Sequence, residues 1–313
     1  MLKPTSQQGV NMRNTWRTLA VSLLASLSIG TAQASDIKLS STIGELDVPQ
    51  NPKSIAIFDF PALDILDSLG SESVVAVPKS LPLPDYLKKY EDKAYADVGG
   101  LMEPNFERLS AVEPELTIIS ARQSQLVERF KEISPIYYSD IQYLDFYPSF
   151  QQNVRNIAEI IGKQAEAATQ LQAIDQDLAA IAAKAKGKTA LVLLANESNI
   201  STFGPNSRYG MIFQDYGFTQ ADTEIKESRH GMKVSFEYVL DKNPDYIFVV
   251  DRTAAITNKS GNAKKVFDNA LIKGSKAYKD GNIVFLDSVN WYLVMGGLQS
   301  MKAMNQEMLK AVQ

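Results

Sequence analysis

The chain has 313 residues with 32 basic and 36 acidic side chains, one histidine and no cysteine. Its formal net charge of −4 argues against nucleic acid as a partner. The absence of cysteine excludes disulfides and thiolate metal sites, while the length allows two domains of ordinary size.

The chain opens with Lys3, Arg13 and Arg17 and no acidic residue before Asp36. An apolar run follows over residues 19–29, and then Ala32-Gln33-Ala34. Basic start, apolar run and small-residue site predict a secretory signal peptide over residues 1–34, cleaved after Ala34, with Met12 an alternative start. The run is shorter than the roughly 20 residues that span a bilayer. With no cysteine to acylate, the expected product is unanchored. Cleavage would remove three basic residues and no acidic one, leaving a net charge of −7.

Beyond the leader, residues 54–58 read as a strand, 62–69 as a helix and 74–77 as a strand. Residues 104–122 then match residues 234–252 at a constant offset of 130: Phe106 with Phe236, Glu107 with Glu237, Pro114 with Pro244, Arg122 with Arg252. Each copy reads as an N-cap (Asn105, Ser235), a short helix, a proline stop, a buried strand (116–119, 246–250) and an arginine. A repeat of this length predicts two similar lobes, since solenoid periods run about 20–50 residues. Between the copies, apolar residues from Val154 to Ile181 recur at helical spacing, predicting a long helix over 154–186 that Gly162 interrupts near its start and Gly187 ends. Strands over 189–194 and 283–286 and helices over 211–216 and 298–312 complete the pattern. The alternation predicts an α/β fold with mostly parallel sheets, divided as an N-terminal lobe (35–150), an inter-lobe helix (151–187) and a C-terminal lobe (188–313). Ligands of such sheets bind beyond the carboxyl ends of the strands, where Arg122 and Arg252 fall.

Two α/β lobes joined by one long helix resemble the helical-backbone (class III) binding proteins of ABC importers, over essentially the whole mature chain. The segments Arg229-His230-Gly231, Ser235-Phe236-Glu237-Tyr238, 243–252 and Asn290-Trp291-Tyr292 are similar to its catecholate-siderophore subgroup, of enterobactin and vibriobactin type. The resemblance implies a periplasmic, monomeric carrier with no catalytic role and no intrinsic cofactor. Its ligand would be an anionic ferric siderophore held by Arg122, Arg208 and Arg252. Arginine suits such a load, being permanently charged and donating to several oxygens at once. The resemblance also implies that His230 and Tyr292 fill the two iron positions a four-donor ligand leaves open, and that Glu107 and Glu237 meet arginines of an inner-membrane ABC permease.

Each residue has a plainer reading. Arginines pair with surface acids, a lone loop histidine is usually just exposed, Tyr292 can be packing, and a glutamate in a first helical turn offsets the helix dipole. One histidine without cysteine cannot build a usual zinc site. Among rivals, a hydrolase lacks the G-x-S-x-G elbow, and neither a P-loop nor a dinucleotide fingerprint is present. Haem or another iron chelate on the same fold remains the alternative ligand.

Overall fold

The computed structural model describes residues 3–4, 36–226, 228, 230–257 and 261–313. The leader expected over 1–34 lies outside the described residues except at 3–4. The account below concerns the compact unit Ala34–Gln313.

A hairpin of β1 (Asp36–Ser41) and β2 (Gly44–Pro49) precedes the first sheet and was not evident in the sequence. That sheet holds β3 (Ile55–Ile57), β4 (Val74–Val77), β5 (Ala96–Asp97), β6 (Leu116–Ser120) and β7 (Ile136–Ser139). Its order is β5-β4-β3-β6-β7, and every pairing is parallel. The second sheet holds β8 (Thr189–Asn196), β9 (Asn199–Phe203), β10 (Thr219–Gln220), β11 (Met232–Val234), β12 (Tyr246–Asp251) and β13 (Ile283–Phe285). There β8-β12-β13 are parallel and mirror β3-β6-β7, whereas β9 and β11 add an antiparallel edge.

The two halves of the sequence repeat build the same local structure. Asn105 caps helix Phe106–Val112 by accepting from Arg108 N, and Ser235 caps Phe236–Lys242 by accepting from Tyr238 N. The helices end in left-handed residues, Glu113 (φ 49°) and Asn243 (φ 43°), one residue before each proline. A proline disfavours α conformation in the residue before it, so the chain turns there. The acid after each proline then pins the entry of the neighbouring central strand. Glu115 accepts from Lys53 N at 2.6 Å, and Asp245 from Thr189 N at 2.8 Å.

Side chains alternate across β8 and β12 as the pleat requires. Ala190, Val192, Tyr246, Phe248 and Val250 join the main core, while Leu191, Leu193, Ile247 and Val249 form a second core on the other face. The predicted long helix is two helices, Phe146–Ile160 and Gln164–Ala185. It starts eight residues before the sequence pattern suggested and breaks at Gly162, whose φ of +68° no interior helical residue adopts. The unbroken part rises about 33 Å, at 1.5 Å for each of its 22 residues.

The last helix, Leu298–Ala311, packs on Gln164–Ala185 and on Phe60–Ser68 beside the first sheet. Buried Asp64 receives its free N-terminal amides, Gln299 N at 2.7 Å and Ser300 N at 2.8 Å. No described helix is long and apolar enough to cross a membrane.

Candidate functional site

The site lies at the carboxyl ends of β6, β8 and β12. Where β6 stops, Ser120 starts the 3-10 helix Ala121–Leu126. Its backbone N–H donates to Gln123 Oε1 at 2.9 Å, and Gln123 Nε2 donates to Leu101 O at 2.6 Å. This tied turn presents Arg122, the second residue of the helix. Among the described residues Arg122 makes no hydrogen bond and no ion pair.

Where β12 stops, Asp251 caps helix Arg252–Ile256 through Ala254 N (3.1 Å) and also accepts from Ala263 N (2.8 Å). A Cβ on Gly261 would sit 1.9 Å from the Asp251 carboxylate, so a larger residue there would displace this cap. Arg252 Nε donates to the Tyr292 hydroxyl at 3.1 Å, and Nη1 donates to Asn196 Oδ1 at 3.2 Å.

Tyr292 ends the one-turn helix Ser288–Tyr292. The three residues Asn290, Trp291 and Tyr292 point three ways. Asn290 Oδ1 accepts from Tyr86 of the first lobe (2.7 Å), Trp291 is buried with Nε1 donating to Glu307 Oε2 (2.8 Å), and Tyr292 faces the cleft. Over its ring lies the Arg208 guanidinium, 4.3 Å from the centroid, with Nη2 donating to the Tyr292 carbonyl at 2.9 Å. Arg208 Nε is buried with no hydrogen-bond partner. His230 is exposed in the turn before β11. The following Gly231 has φ +74°, and a Cβ there would come within 2.8 Å of Thr202 O.

Two adjoining cavities share Arg208 and Tyr292. One, open to solvent, adds Asn196, His230 and Arg252. The other adds Arg122, Asp59, Ser139 and Tyr143. All five residues that the sequence suggested for ligand binding therefore line one continuous region. Glu107 and Glu237 are exposed in matching first turns of their helices, away from these cavities. The Ser235 side chain beside Glu237 and the helix amide hold its carboxyl below the usual glutamate value.

Asp59 and Tyr143 are among the cavity residues that escaped the sequence reading. Asp59 follows β3 as Arg122 follows β6, so the strand-end rule that found the arginine was a usable signal. Its buried carboxylate accepts from Ser139 Oγ (2.8 Å) and Ala62 N (3.2 Å). Burial raises its pKa, opposed by the Ser139 bond and the charge of Arg122. Tyr143 sits in a short 3-10 turn, Tyr143–Asp145, that no periodicity marks.

A model of the periplasmic binding protein family matches residues 55–289. The chain belongs to that family. Among relatives, the petrobactin-binding protein YclQ of Bacillus subtilis (strain 168) is 43% identical over 263 residues, 83% of this chain and 82% of its own. The ferric-anguibactin-binding protein FatB of Vibrio anguillarum (strain ATCC 68554 / 775) is 29% identical over 88% of each chain. The crystal structure of YclQ superposes with a TM-score of 0.85 at 40% identity, covering 89% of this chain and 99% of its own. That of the periplasmic catecholate-siderophore binding protein VctP of Vibrio cholerae gives 0.84 at 31% identity over 88% and 99%. The two-sheet architecture is thus the one this periplasmic binding protein family uses.

Proposed function

We propose that the protein captures an anionic ferric catecholate siderophore in the cleft between its lobes and delivers it to an inner-membrane ABC permease. The observation that carries this reading is Arg208, half-buried with a buried, unpartnered Nε, shared by the two adjoining cavities that Arg122 and Arg252 line. A buried donor without a partner costs about 1–3 kcal/mol, which an anionic ligand oxygen would offset. The named ligands of YclQ, FatB and VctP support an iron chelate.

Within that reading, His230 and Tyr292, which line the same cavity, supply the two donors that a four-donor siderophore lacks. Imidazole and phenolate oxygen both suit ferric iron. Glu107 and Glu237 dock the two lobes onto the permease. The protein works as a monomer in the periplasm after losing its leader, unlipidated because it has no cysteine. An intact mass starting at Ser35 would identify that product.

Cleavage would leave Trp291, beside Tyr292, as the sole tryptophan, since the other is Trp16. Titration of its fluorescence should reach half-quenching at a much lower concentration of a ferric tris-catecholate than of haem or a ferric hydroxamate. Tighter binding of haem, or turnover of an ester, would replace this reading.

A further inference from the structure

We infer that Tyr143 is a specificity-determining residue, a wall against which an aryl ring of the ligand stacks. The inference rests on the proposed ferric-siderophore function and names what the first-lobe side of the cleft selects. Tyr143 leaves 45% of its surface exposed, and the next residue, Leu144, leaves 68%. Met102, which follows the Leu101 carbonyl that anchors the Arg122 turn, is 64% exposed. Single exposed apolar side chains are ordinary, and of these three it is Tyr143 that lines the cavity.

The backbone around Tyr143 is tied by hydrogen bonds, whereas its hydroxyl is not. Gln142 N donates to Ser149 Oγ at 2.9 Å, and Asp140 accepts from Thr42 N at 2.8 Å and from the Gln142 amide. Among the described residues the Tyr143 hydroxyl makes no hydrogen bond. Its ring centroid lies 5.9 Å from Arg208 Cζ, so this guanidinium is flanked by Tyr143 and by Tyr292. An anionic chelate drawn to Arg208 would bring its periphery against the Tyr143 ring. A flat aromatic arm gains from that contact, because offset aromatic pairs are favoured beyond their buried area. An aliphatic carboxylate chelate has no face to offer it.

The test uses two probes, the ferric complex of 2,3-dihydroxybenzoate and ferric citrate, titrated into wild type, Tyr143→Ala and Tyr143→Phe. Tyr143→Ala should weaken the aryl complex roughly three- to thirtyfold, as loss of an aromatic pair and its buried area implies. Tyr143→Phe should bind it like wild type, and ferric citrate should not distinguish the variants. Wild-type affinity of Tyr143→Ala for the aryl complex, or an equal loss for both probes, overturns the inference and leaves the proposed function standing. So does a Tyr143→Phe loss as large as that of Tyr143→Ala, since a hydroxyl contact would then explain the effect. If wild type binds neither ferric complex, the proposed function falls and this inference falls with it.

Discussion

Replacing Arg208 by methionine should separate binding from stability. In the unliganded protein the guanidinium gains a charged hydrogen bond to the Tyr292 carbonyl, about 1.5–3 kcal/mol, and a cation–π contact of about 0.5–2 kcal/mol. Against these stand the unpartnered buried Nε, about 1–3 kcal/mol, and the desolvation of a charge that has no carboxylate within ion-pair distance among the described residues. The terms nearly cancel, and methionine fills similar space without the charge. The melting temperature of the ligand-free variant should therefore stay within about 4 °C of wild type, the shift that roughly 1 kcal/mol gives in a domain of this size. Ligand affinity should behave otherwise. Loss of one charge-assisted hydrogen bond, about 1.5–3 kcal/mol, weakens capture roughly ten- to 150-fold. Scanning calorimetry and fluorescence titration of the same preparations read the two effects. Unchanged affinity together with a large fall in melting temperature would refute the reasoning, because Arg208 would then be holding the fold and not the ligand.

Other consequences follow from the same geometry. Removing His230 (to Ala) or the Tyr292 hydroxyl (to Phe) should weaken a four-donor ferric siderophore much more than a six-donor one, measured by titration. Equal losses for both ligands would show that these residues shape the cavity without touching iron. Charge reversal at Glu107 and Glu237 should impair uptake in reconstituted vesicles and leave ligand affinity intact; wild-type transport by the double variant would remove their docking role. Burial raises the Asp64 carboxyl from 3.8 to about 6, so the folded state retains a proton there that the unfolded chain has released. Stability from this group is complete below about pH 4 and lost as pH rises through 6, on the order of 3 kcal/mol in all. Denaturant unfolding of Asp64→Asn should lack that slope between pH 4 and 7, and an undiminished slope would assign it to another group.

The parts of the molecule legible in the sequence were those with a local cause. Asn105 and Ser235, the prolines at 114 and 244, and the apolar runs that became β6 and β12 each act within a few residues, and the offset of 130 tied them together. Arg122 and Arg252 came with them, because a strand end is a local position with a known exposure. Asp59 carried the same strand-end signal and was passed over, whereas Tyr143 depends on which segments meet across the cleft, and nothing near it in sequence encodes that meeting. The hairpin of β1 and β2 was hidden for another reason, since most of its side chains are exposed and only Leu39, Leu46 and Val48 are buried. The break at Gly162 was visible as a glycine, but the start at Phe146 was masked by Pro148, which is tolerated only because it falls in the first turn.

The bond from Asp64 to the amides of residues 299 and 300 closes a loop of more than 230 residues. Until those amides arrive, the aspartate keeps only the long bond from the Tyr86 hydroxyl (3.4 Å), and the apolar face of Phe60–Ser68 lacks one of its covers. The half of the molecule made first thus cannot reach its final state before the last 16 residues exist. Ordering so distant a contact also adds loop-closure entropy to the folding barrier, which slows the reaction relative to a fold built from neighbours. Folding of this unit therefore awaits helix Leu298–Ala311, and removing that single helix would unsettle the lobe built on β3 to β7.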